Sequence, residues 1–381
     1  MAAERRFFMA ISLREELLSE FLVCYPIADM RTMCMITDGW SSDKPFAKNA
    51  LNRGSYTIRS MVTRKLMSSR SDGYYSLYKK AADEYYDLEP FYTINGNAKT
   101  RKRVAGVAWI ASVMKAMGVS LDYDEKKMSF ACSTVWRRLN PAVSNTSRYA
   151  GVLNLCAEKY AVYDVSDVAM LWQREAEESL FTETPRNKNV ALDGILMLAD
   201  KPLTEQTIDI TLRSLKNNSG WRKPKIKQFS LSGVAPIAVS KSFKKAYLMN
   251  YEDFANQYVV KYLLKYTPAR KWLEQFFDGR LRLSSEKNFD CTIDGKKAFL
   301  YLQNDILKLI KMINCRGMEN PIIIVCDYRL RGIIDFFFEG KAGMYVVPKE
   351  FYEKWRIDNN GQNKLTAIER ITNSVRNNKS S

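Results

Sequence analysis

The chain has 381 residues and a mass of 44.0 kDa, enough for two or three domains, and its 46% hydrophobic and 27% charged residues exclude bulk disorder. Lys and Arg number 59 against 42 Asp and Glu, a formal charge of +17, so the surface is expected to attract polyanions. Histidine is absent, which excludes Ser–His–Asp and Cys–His hydrolysis, mixed Cys/His zinc sites and the His-cluster metal sites of nicking enzymes.

In chain order, residues 14–24 place Leu17, Leu18, Phe21 and Leu22 on one face, the spacing of a helix. Residues 30–36 form a second short apolar helix, stopped by Asp38-Gly39. Residues 55–66 form a third, with Gly54-Ser55 as its cap and Ile58, Met61, Val62 and Leu66 as its buried stripe. Tyr56, Arg59, Thr63 and Arg64 lie opposite that stripe. Residues 68–73 read as a turn with Asp-Gly at its tip, followed by a strand over 74–77 and a helix over 78–86 headed by Lys79 and Lys80. Three helices, a basic turn, a strand and a helix is the order of a winged helix-turn-helix, whose third helix enters the major groove while the wing rests on the backbone. Cations suit phosphates and polar side chains suit base edges. The expected DNA contacts of this region are therefore Arg53, Ser55, Tyr56, Arg59, Thr63, Arg64, Arg70 and Lys79. The alternative is a solvated basic helix on an ordinary helical domain.

A further amphipathic helix spans 100–117, headed by Arg101-Lys102-Arg103, a run that is either a phosphate contact or a solvated face. Strands follow over 148–155 and 159–165, then a helix over 168–180 with Ser166 and Asp167 as caps, then a strand over 190–198. Residues 210–251 hold nine basic residues and no acid. Within them Trp221 stands among Arg222, Lys223, Lys225 and Lys227, which fits a ring stacked on a base with cations along the backbone, or a surface loop whose Trp packs down. Residues 288–293 and 296–302 flank Asp294-Gly295, a hairpin signature. A helix over 304–315, an apolar strand over 321–326, a helix over 328–338 and a strand over 343–347 complete an α/β order.

The seven cysteines form no CxxC pair and read as buried small hydrophobes in a reducing compartment. No signal-peptide core, no membrane-length apolar run and no GxxxxGK[ST] loop occurs. The expectation is a cytoplasmic protein without membrane partner, cofactor or bound metal.

The combination resembles the replication–relaxation family, winged-helix proteins of plasmids and other mobile elements. The resemblance is carried by residues 53–86, 147–163 and 290–348. It implies an α+β chain: a winged helix-turn-helix over 1–92, a helical connector over 93–145, an α/β domain similar to the restriction-endonuclease core over 146–350, and a C-terminal helix and basic tail over 351–381. Such a core needs an Asp on its first hairpin strand and Glu-x-Lys at the end of the second, to hold Mg²⁺ and activate water. Asp290 matches the first position, but Gln303-Asn304-Asp305 stands at the second. The expectation is thus a degenerate, nuclease-like scaffold without cutting activity. The overall reading is a sequence-specific double-stranded DNA-binding protein of a mobile element, acting in replication, conjugative processing or their regulation. A homodimer on paired half-sites is left open. The alternatives are a Mg²⁺-dependent nuclease using Asp290, Asp294 and Asp305, or a phage or replisome assembly protein that binds nucleic acid non-specifically.

Overall fold

The opening helix, α1 (Leu13–Cys24), is fixed at its start by a reciprocal cap. The Glu15 amide donates to Ser12 Oγ at 3.4 Å, and the Ser12 amide donates to Glu15 Oε2 at 2.9 Å. The computed structural model describes residues 12–38, 48–78, 81, 97–116, 118–155, 158–166, 171–173, 176–177, 179–181, 192–200, 202–218, 228–230, 245–251, 273, 276–284, 289–315, 323–340, 342–348 and 350. It is a mixed α and β structure that divides into two units, residues 1–136 with 150–156 and residues 137–149 with 157–381. No helix among the described residues is long and apolar enough to cross a membrane.

In the first unit α1 is followed by a short strand, β1 (Ala28–Asp29), and then by α2 (Met30–Asp38), whose first turn is capped where the Thr32 amide donates to Asp29 Oδ1 at 2.8 Å. Next come α3 (Lys48–Thr63), β2 (Met67–Ser69) and β3 (Tyr74–Leu77). The three strands form an antiparallel sheet in the order β1–β3–β2. The sheet and helices close over Leu18, Leu22, Ile27, Met33, Ile58, Met61 and Met67, each at most 1% exposed. At roughly 1.5–3 kcal/mol per fully buried large side chain, that core is the main stabilising term of the region.

Two features of α3 differ from the sequence expectation. It begins at Lys48, so Gly54-Ser55 lies inside the helix and not at its cap. Gly54 is required by packing: a Cβ there would stand 2.5 Å from Cys34 Sγ, because α2 and α3 cross closely at this point. The C-terminus is closed by Lys65 in the left-handed region, φ 58°. The Lys65 amide donates to Val62 O and the Leu66 amide to Met61 O, a Schellman ending made without glycine.

The unit continues with α4 (Ala98–Ala116), β4 (Met128–Cys132), the start of α5 (Ser133–Leu139) and β5 (Gly151–Leu155), which pairs antiparallel with β4. The expected connector over 93–145 is therefore largely part of the first unit, with α4 packed on α2. Arg31 of α2 lies 4.0 Å over the Trp109 ring of α4.

In the second unit β6 (Lys159–Asp164), β8 (Gly194–Ala199) and β10 (Lys245–Asn250) run parallel, with β8 between the other two. Within the expected helix over 168–180, β7 (Leu171–Gln173) is instead a strand, paired antiparallel with β9 (Gln228–Ser230), and only Ala176 and Glu177 among the described residues there are helical. A helix not foreseen from the sequence, α6 (Leu203–Asn218), follows β8. The last sheet has the order β11 (Leu281–Leu283), β12 (Cys291–Ile293), β13 (Lys296–Tyr301), β14 (Ile323–Asp327), β15 (Gly343–Val347). Its first three strands are antiparallel and its last three parallel. The crossovers are α7 (Ile306–Asn314) and α8 (Arg331–Phe338). Alternation on β13 and β14 fills both faces: Ala298, Leu300, Ile323 and Val325 on one, Phe299, Tyr301, Ile324 and Cys326 on the other. The β12–β13 turn is the expected Asp294-Gly295, with both φ angles positive at 51° and 77°.

Candidate nucleic-acid interface

On the exposed side of α3 polar groups face outward in register. Tyr56 is 77% exposed, and Arg59 and Thr63 are exposed with it at i+3 and i+7. Ser55 is half-buried beside them. Gly54, Thr57, Ile58 and Met61 occupy the opposite, buried side. Arg59 makes no ion pair among the described residues, so its charge is available to an external anion. Arg53 lies within α3, but its side chain is outside the described residues.

Arg64 departs from the expected role. Its Nη1 donates to Glu15 Oε1 at 2.8 Å, and Ser60 Oγ donates to the same oxygen at 3.2 Å. The Glu15 side chain is only 6% exposed, and Arg64 Nε and Nη2 are also out of solvent. Burial alone would raise the Glu15 carboxyl, but the Ser12 amide, Arg64 and Ser60 together hold it below its ordinary value. Arg64 is thus a clamp between α3 and α1, and the outward row of α3 is Tyr56, Arg59 and Thr63.

The hairpin after α3 turns tightly. The Arg70 amide donates to Tyr74 O at 2.9 Å, and the Gly73 amide donates to Arg70 O at 3.1 Å. Ser69, Ser71 and Asp72 are exposed and Arg70 is half-buried. At the tip, Arg101 Nε donates to Asp72 Oδ2 at 2.5 Å, which ties the turn to the first residues of α4. Slight desolvation raises the Asp72 carboxyl, but Arg101 and the Tyr74 amide outweigh it and hold it below its ordinary value. Lys102 and Arg103 follow Arg101 on the surface, and Asn97 caps the helix by accepting from the Thr100 amide at 3.0 Å. Lys79, Trp221, Arg222, Lys223, Lys225 and Lys227 lie outside the described residues.

The three carboxylates considered for metal-dependent cleavage are not brought together. Asp290 Oδ2 accepts from the Leu300 amide at 2.9 Å and pairs with Lys308 Nζ at 2.7 Å. Asp294 sits in the turn at the far end of β12 and faces Arg280 Nη1 at 3.6 Å. Asp305 is 8% exposed and caps α7, accepting from the amides of Leu307 at 3.0 Å and Lys308 at 3.4 Å, and from Ala246 of β10 at 3.1 Å. Burial raises its carboxyl against the opposing pull of these amides and Lys308. Asn304 is equally committed: Tyr301 Oη donates to its Oδ1 at 2.7 Å, and its Nδ2 donates to Thr207 Oγ1 at 2.6 Å and Leu248 O at 3.0 Å. This constellation does not fit a Mg²⁺ ion, and no group of three or more His, Cys, Asp or Glu among the described residues is placed to hold a metal.

Glu177, another buried acid of the second unit, was not singled out in the sequence. It is 0% exposed and accepts from Tyr163 Oη at 2.6 Å and the Arg148 amide at 2.5 Å. Burial pushes its carboxyl up to about 7 against the pull of these donors. Its neighbours in sequence, Arg174, Glu175 and Glu178, look like a solvated charge run, which hides a single inward carboxylate.

Set against family models, curated proteins and solved structures, the chain matches none of them, so the exposed face of α3 and its hairpin carry the functional reading.

Proposed function

We propose that the chain is a sequence-specific double-stranded DNA-binding protein whose first unit works as a winged helix-turn-helix. The observation that carries this is the outward row Tyr56, Arg59 and Thr63 on α3, backed on the opposite side by the buried Gly54, Thr57, Ile58 and Met61. The element order supports it: helix, short strand, helix, helix, then a hairpin whose return strand β3 pairs with β1. In that arrangement α3 enters the major groove, Arg59 meets a phosphate or a guanine edge, and Tyr56 and Thr63 meet base edges or sugar. The hairpin over Arg70 to Gly73 lies along the backbone. The formal charge of +17 supplies non-specific attraction that brings the groove within reach.

The strand order of the last sheet supports reading the second unit as nuclease-like in architecture. Its Asp290, Asn304 and Asp305 serve the fold, which favours a scaffold that does not cut. The mobile-element setting, in replication, conjugative processing or their regulation, rests on the family resemblance alone.

Selection of bound duplexes from a random pool tests the proposal. A sharp consensus that is lost with Tyr56→Ala or Thr63→Ala is the expected result. Enrichment without a consensus, unchanged by either variant, contradicts sequence reading and leaves a non-specific packer.

A further inference from the structure

A carboxylate at the tip of a DNA-contacting turn is unfavourable, because it stands where a phosphate arrives. Asp72 occupies that place, exposed in the turn between β2 and β3. Its charge is not left open to solvent. Arg101 Nε reaches it at 2.5 Å, and the two side chains are 24% and 26% exposed, Arg101 first. Arg101 opens the run Arg101-Lys102-Arg103, and Lys102 and Arg103 are exposed beside it on the first turns of α4. The pair therefore joins the hairpin tip to a strongly cationic helix start, and it neutralises one cation of that start.

We infer that Asp72 is an electrostatic governor of duplex binding: it occupies Arg101 in the free protein and withholds it from the DNA backbone, so that the phosphate-binding surface extends from the hairpin onto the head of α4 but runs below its full strength. This rests on the DNA-binding reading above. A partly exposed ion pair is weak and exchangeable, so an incoming phosphate competes with Asp72 for the same guanidinium, and the remaining carboxylate repels the backbone. Such a device lowers affinity for any duplex equally. It leaves discrimination to Tyr56, Arg59 and Thr63, and so weakens non-specific sticking to DNA without changing the ratio between a read site and any other.

The sign of the effect separates this from a structural role. Asp72→Asn keeps an acceptor for the Tyr74 amide and removes only the charge. Duplex binding by the full chain is measured by fluorescence anisotropy across a salt series, for the parent, Asp72→Asn and the double variant Asp72→Asn/Arg101→Ala. The expected result is that Asp72→Asn binds about three- to tenfold tighter at low salt, with a log–log salt slope steeper by roughly one, the signature of one more neutralised phosphate. The double variant returns to the parent slope. If Asp72→Asn melts like the parent but binds duplex equally or more weakly, with no steeper slope, the pair only braces the hairpin and the governor is overturned. If the parent itself binds no duplex at any salt, the DNA reading fails and the governor falls with it.

Discussion

The α3 hairpin region of the first unit and the β12–β13–α7 region of the second are built from similar materials, yet they place charge in opposite ways. Both carry an Asp-Gly turn, a neighbouring helix and several Asp, Asn, Lys or Arg side chains. Around α3 the polar groups at 56, 59 and 63 face water, and one arginine is drawn inward as a clamp. Around α7 the polar groups turn inward: Asn304 bonds Tyr301, Thr207 and Leu248, Asp305 caps its helix and holds β10, and Asp290 pairs with Lys308. The difference teaches that residue type does not separate a site from a scaffold. What separates them is whether the donors and acceptors already have internal partners.

The largest test of that contrast falls on the inward side. Asn304→Ala leaves the Tyr301 hydroxyl, the Thr207 hydroxyl and the Leu248 carbonyl short of a partner, and should cost about 3–5 kcal/mol. Urea unfolding reads the loss directly, while duplex affinity of the folded fraction stays at the parent value. A loss below about 1 kcal/mol would show that these bonds are dispensable and would break the comparison.

Glu177 sharpens it through pH. Its folded value of about 7 lies above the ordinary 4.5, so its contribution is fully present below the ordinary value and is lost as pH rises through 7. Across that interval the parent should lose on the order of 3 kcal/mol from this group. Glu177→Gln should lose less than the parent by about that amount in unfolding experiments at pH 5 and pH 8. An equal loss in the variant assigns the pH dependence elsewhere.

Next in size is Arg64→Ala, which strands the buried Glu15 carboxylate and should cost roughly 2–3 kcal/mol at neutral pH. Because Glu15 is held below its ordinary value in the parent, the clamp is present above that value and fades as pH falls through the folded one. The cost of the substitution should therefore shrink in acid. Smallest is Lys65→Gly. At φ 58° a side chain is strained, so glycine should stabilise the folded chain by ~0.5–1 kcal/mol in thermal melts.

Local rules made part of this legible in the sequence. The β12–β13 hairpin follows from Asp294-Gly295, and β14 follows from an apolar run filled on both faces. The outward row on α3 follows from helical spacing. What stayed hidden depends on partners distant in the chain. Gly54 resembles a cap until Cys34 of α2 is seen against it, and Arg64 resembles a DNA contact until Glu15 is. Around 168–180 helical periodicity lost to strand pairing, because β7 finds β9 more than fifty residues later. The basic, acid-free stretch drew attention to charge and concealed α6, whose apolar side buries Ile210.

The most direct test of the account compares Arg59→Ala with Arg64→Ala in duplex-binding salt titrations. Arg59→Ala should melt like the parent, lose about 1–3 kcal/mol of affinity and flatten the salt slope by roughly one, while Arg64→Ala should be less stable but bind with the parent slope when folded. Equal slopes for the parent and Arg59→Ala, or a flattened slope only for Arg64→Ala, would contradict it.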